Sequence, residues 1–268
     1  SDFWVMQYEA KYAIDGRVAS DAPLECRYST LYDTFDWAKV AGGCSAYVPI
    51  WYNQNVISSP FGSPAAGATH PQAKTICEAL GGHIVTNAEW MTIARNIEQQ
   101  PSNWTSGVVG TGYLFNGNSG DTNRGYNGDN PEKGLNRNVR AMHILSNGNK
   151  IYDFAGNVYE PIMLDLSDTL ISNHPTDGGA SGYRYIDFTS ITGYGDLSYD
   201  LIRPSNETWN STNSGVGTIY TYNGTDIDNV IWRGGYWNSS SGAGVFSIYT
   251  NYITSTQSSD GGFRCIKN

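Results

Sequence analysis

The chain has 268 residues, a formal net charge of −9 and a pI near 4.8, an acidic balance that argues against a phosphate-backbone partner such as nucleic acid. Aromatic residues make up 13%, with 19 Tyr and 8 Trp, which excludes a disordered composition. No apolar run reaches the roughly 18 residues of a membrane span, so membrane insertion is not expected.

Taken in chain order, "FWVMQYEA" from Phe3 reads as a buried strand. In "THPQAKTICEALGG", Thr69 is placed as an N-cap, Pro71 suits the first turn and Gly81 the C′ position. Ala73, Ile76, Cys77 and Leu80 then share one helix face. In "TNAEWMTIARNIEQQP", Thr86 and Glu89 form a capping box, Trp90, Ala94 and Ile97 make the buried stripe, and Pro101 stops the helix. "GVVGTG" from Gly107 is a turn, because no strand-then-helix context surrounds it. "DTNRGYNGDNPE" from Asp121 spaces oxygen-bearing side chains as a calcium loop does, yet Tyr126 stands where such a loop needs Gly. It reads as a solvated loop.

Asn147-Gly148 between two apolar runs predicts a hairpin. The polar segments 117–131 and 205–229 read as long surface loops, and "RGGYW" and "GFRCIK" as strands. Two capped helices with short strands and long loops indicate an α+β fold, laid out as one domain over residues 1–268. The four histidines, His70, His83, His143 and His174, are scattered without metal-site spacing, and no GxSxG elbow is present. Cys26, Cys44, Cys77 and Cys265 lack CxxC spacing, leaving two disulfides or four thiols. No signal peptide is visible, and a chain starting at Ser1 reads as a mature or trimmed form.

Four segments in order, "FWVMQYEAKYA", "CEALGGHIVTNAEWMTIAR", "IYDFAGNVYE" and "RGGYW…GFRC", resemble the formylglycine-generating enzymes and their relatives. The resemblance implies a C-type lectin fold of that subtype, with paired N- and C-terminal strands. It implies a Cys77–Cys265 disulfide, and offers no match for Cys26 and Cys44, which are left to a local bridge. By the same resemblance Asn157 and Glu160, in "GNVYE", are nominated to hold calcium. The enzymes' two copper-binding cysteines correspond to about Ser239 and Gly244, neither of which can form a thiolate. Catalysis of the family's kind is therefore not expected.

The C-terminal frame, "RGGYW", "AGVF" and "GGFRC" in that order, resembles a second branch of this fold, the variable proteins of diversity-generating retroelements. There a lectin-type scaffold displays a hypervariable ligand-binding face, here about residues 236–262. Adenine-directed diversification of AAC-type codons cannot yield Trp, Met, Gln, Lys or Glu, and between Tyr236 and Gly262 the residues of that set are Trp237 and Gln257. The physical chemistry points the same way, since Tyr, Ser, Gly and Asn are the residues of adaptable binding surfaces. The expected ligand face is Tyr236, Asn238, Ser239, Ser241, Gly242, Ser247, Tyr249, Asn251, Tyr252, Thr254, Ser255, Ser258, Ser259 and Asp260. Trp232, Trp237, Phe263 and the disulfide are expected to stiffen the frame beneath it, with Val245 and Phe246 in the core.

These readings lead to a non-enzymatic ligand-binding protein, displayed outside the cell, on a cell surface or on a virion, whose partner is a protein or glycan on another cell or particle. Two alternatives compete with it. One is a formylglycine-generating or sulfoxide-synthase-like oxidoreductase with altered chemistry. The other is a calcium-dependent glycan-binding lectin, whose usual Glu-Pro-Asn, Gln-Pro-Asp and Trp-Asn-Asp signatures are missing.

Overall fold

The computed structural model describes residues 3–14, 17–18, 56–58, 64–125, 139–163, 182–190, 202–223 and 229–267. It is a mixed α+β fold with few helices and several small sheets.

Both predicted helices form where the caps place them. Helix α1 spans His70–Ala79 and α2 spans Asn87–Glu98. Each begins with a reciprocal capping box, Thr69 with Gln72 and Thr86 with Glu89, which satisfies backbone N–H groups that a helix start leaves open. Gly81 follows α1 with φ +76°. Trp90, Ala94 and Ile97 are fully buried, whereas on α1 burial is confined to Ala73 and Cys77 and Leu80 is 36% exposed. The Trp90 indole stacks on Phe154 at 3.9 Å between ring centroids.

The opening strand is shorter than expected. Strand β1 is Trp4–Val5, and Trp4 is 79% exposed because it lies opposite Lys267 at the end of a small sheet. Burial begins at Tyr8, and β2 follows at Ala10–Ile14. Strand β2 pairs with β3 (Arg17–Val18) and β4 (Val56–Ser58). Strand β5 (His83–Ile84) and the C-terminal strand β13 (Cys265–Lys267) complete the sheet of β1, in the order β1-β13-β5. The two ends of the described chain are thereby paired, as the resemblance implied.

Strands β6 (Met142–Ile144) and β7 (Lys150–Tyr152) form the predicted hairpin. The turn is closed by Gly148 N–H donating to Leu145 O, with Gly148 at φ +82°. The largest sheet has five strands in the order β8 (Glu160–Pro161), β11 (Asn229–Arg233), β12 (Ile248–Ile253), β10 (Ile219–Asn223) and β9 (Gly182–Ile186). Strands β10 and β12 run parallel and the other neighbours antiparallel. "RGGYW" is a strand only as far as Arg233, because Gly234 and Gly235 take φ of +86° and +84° and turn the chain away.

Two segments expected as surface loops are partly core. In 117–125, Asn118, Ser119, Asp121 and Arg124 are buried, with the Asp121 carboxylate accepting from Asn123 and Arg124 N–H and pairing with the Arg124 guanidinium. In 205–229, Trp209 packs edge-on against Trp104, a short helix α3 covers Ser211–Ser214, and β10 follows.

Cys77 and Cys265 form a disulfide with Cα atoms 5.4 Å apart, tying α1 to β13 across a sequence separation of 188. The bridge suggested for Cys26 and Cys44 lies outside the described residues. Beside β13, the Arg264 guanidinium is 1% exposed and bonds both oxygens of Glu160 at 2.8–3.2 Å, Met6 O at 2.9 Å and Tyr152 O at 2.9 Å. His143 on β6 is fully buried with Nε2 2.8 Å from Phe115 O. Burial, more than the nearby Arg264 charge, lowers its pKa to about 4.

Two outcomes follow. Replacing both cysteines, Cys77→Ser with Cys265→Ser, should lower the unfolding free energy by about 2–5 kcal/mol in urea titration, the upper end being the loop-entropy value for so long a loop. Because His143 is neutral in the fold and its unfolded pKa is near 6.5, its contribution is fully present above pH 6.5. It is lost as pH falls toward 4, at a slope of up to about 1.4 kcal/mol per pH unit, and His143→Gln should flatten that limb of a stability–pH curve.

Candidate functional site

The site is built on one face of the five-stranded sheet. Register places Tyr185 opposite Tyr220, and Tyr220 beside Tyr249. Their rings form a row with centroids 4.5 Å apart at each step. From Tyr249 the row continues to Tyr159 at 4.6 Å, then to Tyr236 at 4.9 Å and Trp237 at 5.9 Å. Tyr252 joins from the side, 5.0 Å from Tyr249 and 5.4 Å from the buried Trp232. Seven rings plus the Trp232 anchor thus form one continuous aromatic ladder. Such cross-strand aromatic contacts are worth about 0.5–1.5 kcal/mol each beyond burial.

A bulge sets this face. Val230 pairs with Tyr252 and Trp232 with Tyr249, so three steps along β12 match two along β11. In a regular strand an odd separation sends side chains to opposite faces; the extra residue cancels that and brings Tyr249 and Tyr252 together. Ile248 and Thr250 point inward and are buried.

The loop after β11 is held from below by buried polar groups. Asn116 Nδ2 donates to Ser240 O and Ala243 O, and Ser240 N–H donates to Ser119 O at 2.6 Å. Trp237 N–H donates to Asn157 O, and Asn157 N–H to Asn118 O. Asn157 has φ +66° and Gly156 φ +74°, where a Cβ would meet Asn118 O at 2.4 Å. Trp90 Nε1 donates to Val245 O at 2.7 Å, and Arg233 bonds Phe246 O and the Asn87 side chain. Val245, Phe246, Trp232 and Phe263 are all fully buried, as expected. At Gly244 a Cβ would fall 2.4 Å from the backbone of Val216 and Gly217, so any side chain there forces the backbone to shift.

Most of the expected ligand face is accessible. Asn238, Thr254, Ser255 and Ser259 are exposed, and Tyr236, Ser239, Ser241, Gly242, Tyr249, Tyr252, Ser258 and Asp260 are half-buried. Tyr236, Tyr249 and Tyr252 meet in the ladder, and Ser239, Ser241 and Gly242 line one pocket. Asp260 accepts from Trp237 Nε1 at 3.1 Å. Thr254, Ser255 and Ser259 make no hydrogen bond or ring contact to the ladder among the described residues. Asn251 lies in β12, and its side chain is outside the described residues. Ser247 is a correction: it is 3% exposed and its hydroxyl donates to Gly242 O, closing the turn beneath the face. Trp237, expected to stiffen the frame, is 37% exposed and is tied to it through its N–H on Asn157 O and its indole on Asp260.

Sequence reasoning missed Tyr159, Tyr185 and Tyr220. The alternation in "GYRYI" and "IYTYN" carried the signal for the last two. Burial raises the pKa of Tyr159, and burial followed by the Asp260 charge raises that of Tyr236, so both phenols stay protonated well above neutrality.

The residues nominated for calcium are engaged elsewhere. Both Glu160 oxygens accept from Arg264, and Asn157 Nδ2 donates to Glu9 at 2.5 Å. A cation at Glu160 would meet the Arg264 guanidinium at the same oxygens, so as placed the pair does not fit a calcium ligand set. The described histidines are also dispersed: His70 bonds Ile162 O, His83 pairs with Glu89, and His143 bonds Phe115 O.

Gly244→Ala should destabilise the protein by about 1–3 kcal/mol through overpacking, measured by thermal or urea unfolding, while Asn238→Ala on the exposed rim should stay within about 0.5 kcal/mol. Compared with known proteins, the chain matches no family model and no curated protein.

Proposed function

We propose that this chain is a non-enzymatic ligand-binding protein whose C-terminal region, about residues 236–262, is the recognition face. One observation carries the reading: half-buried and exposed tyrosine rings, linked through the buried Tyr159, form a continuous row beside a loop that buried hydrogen bonds hold in place. Tyrosine offers a large amphipathic contact with two rotatable angles, so little entropy is lost when it is covered. A fixed backbone lowers the ordering cost further. Varying the exposed side chains Asn238, Thr254, Ser255 and Ser259 changes the contact with least effect on the core, because the bonds that anchor the loop come largely from backbone atoms and from Trp90, Asn116 and Arg233.

The same reading places the chain in a C-type lectin fold of the formylglycine-generating-enzyme subtype, as a single domain diversified by a retroelement. It acts outside the cell, on a cell surface or on a virion, against a protein or glycan on another cell or particle. The Cys77–Cys265 bridge suits such an oxidising setting. The reading assigns no reaction to the site. The copper-binding cysteines of the similar enzymes correspond to Ser239, which accepts from Tyr236 N–H, and to Gly244.

The gene neighbourhood tests diversification. We expect a reverse-transcriptase gene and a near-repeat of codons 236 to 264 that departs from them at template adenines. Absence of both overturns the diversification claim. Peptide-cysteine oxidation by the purified protein, read by mass spectrometry, would overturn the non-enzymatic one.

A further inference from the structure

At the Tyr185 end of the ladder lies an open pocket of about 310 Å³, lined by Tyr185, Asp187, Ser211, Thr218, Ser239, Ser241 and Gly242. It is contributed by the end of β9 and the residue after it, the first residue of α3, the residue before β10 and the loop after β11. Four of its seven residues lie outside the C-terminal region that the sequence marks as variable.

We propose that this pocket is a calcium-independent subsite for a neutral carbohydrate residue. The inference rests on the reading of the adjoining face as a recognition surface and names the chemistry it takes. Tyr185 is 71% exposed, and its ring is backed at 4.5 Å by Tyr220, which makes it a supported flat platform open to solvent. A sugar ring presents an apolar C–H face to such a platform and a rim of hydroxyls around it. The pocket wall beside Tyr185 matches that rim, with Thr218, Ser241 and one carboxylate, while the Ser211 and Ser239 hydroxyls hold Asp187 and the Tyr236 N–H in place.

Asp187 supplies the directional group. Its Oδ2 accepts from Ser211 N–H at 3.2 Å and from Ser211 Oγ at 2.7 Å, which fixes the carboxylate. Its Oδ1 is screened from solvent and has no hydrogen-bond partner among the described residues. A carboxylate oxygen in that state carries a desolvation cost that a donated hydrogen bond relieves, and a ligand hydroxyl is such a donor. The described lining holds no cation, so with Asp187 and a net charge of −9 the pocket disfavours sulfated, phosphorylated or carboxylated ligands. A single carboxylate is also too few for a calcium cage of six to eight oxygens, so the sugar bonds the protein directly. A wholly apolar ligand would leave these polar groups unpaired.

The test is an array of neutral and anionic oligosaccharides probed with the full chain in calcium and again in EDTA. The neutral glycan giving the strongest signal is then titrated calorimetrically against wild type, Tyr185→Ala, Asp187→Asn and Tyr236→Ala, each checked for a cooperative melting transition above the assay temperature. We expect neutral glycans to bind equally with and without EDTA, anionic ones not to bind, and Tyr185→Ala and Asp187→Asn each to weaken binding roughly tenfold or more. Loss of binding in EDTA overturns the proposal, as does an affinity untouched by Tyr185→Ala. If Tyr236→Ala abolishes glycan binding while Tyr185→Ala does not, the recognition face stands and this subsite falls. If no neutral glycan binds, the carbohydrate assignment falls alone, since the template-repeat search judges the face independently.

Discussion

The fold is held together at the Arg264 guanidinium. From a position fully inside the protein it bonds the N-terminal segment through Met6 O, the hairpin through Tyr152 O, and β8 through both oxygens of Glu160. Burying a charge is costly unless nearly every donor is satisfied, so these partners must stay where they are. One residue to its C-terminal side, Cys265 adds the covalent tie to α1. The charge network and the disulfide therefore converge on the same short strand, and elements distant in sequence are fixed relative to it.

From this anchor rigidity passes to the aromatic face proposed for recognition. Glu160 is the first residue of β8, which pairs with β11 through Arg233 and Trp232. Strand β11 leads into the loop that carries Tyr236, and its Arg233 bonds Phe246 O just ahead of β12. Burial lowers the Arg233 pKa to about 9, which still leaves it charged at neutral pH. Tyr159, next to Glu160 in sequence, stands in the middle of the ladder and bonds the return segment through Asp260 O and Gly262 N–H. The motif around Gly156, Asn157 and Glu160 thus acts as a brace: it positions aromatic side chains and backbone instead of presenting its own carboxylate.

The face divides into a part that is free to change and a part that is not. Asn238, Thr254, Ser255 and Ser259 project to solvent, so replacing them alters the surface alone. Ser247 and Gly244, within the same stretch, are spent on the turn that packs against Val216 and Gly217. Tyr185 and Asp187 come from elsewhere in the chain and extend the surface beyond the C-terminal region. On the proposed reading, the surface joins a changeable panel to a neighbour that comes from outside the C-terminal region.

What the sequence determined by itself is local. The N-cap at Thr69, the capping box at Thr86, the turn glycine Gly148 and the stripe of Trp90, Ala94 and Ile97 act over a few residues, and each element formed where those signals put it. The tyrosine- and serine-rich composition after Gly235 was equally legible, as was the Cys77–Cys265 link through the resemblance. Only the tertiary structure decided which side chains meet. The bulge between β11 and β12 reverses the alternation that would have separated Tyr249 from Tyr252, and nothing local to "IYTNYI" announces it. The parallel pairing of β10 with β12 brings Tyr220 to the ladder from a segment read as loop, and β9, antiparallel to β10, adds Tyr185. Burial of Ser247 and exposure of Trp237 likewise depend on what packs beneath them, because long-range contacts, not residue type, set which face of an irregular strand or loop meets water.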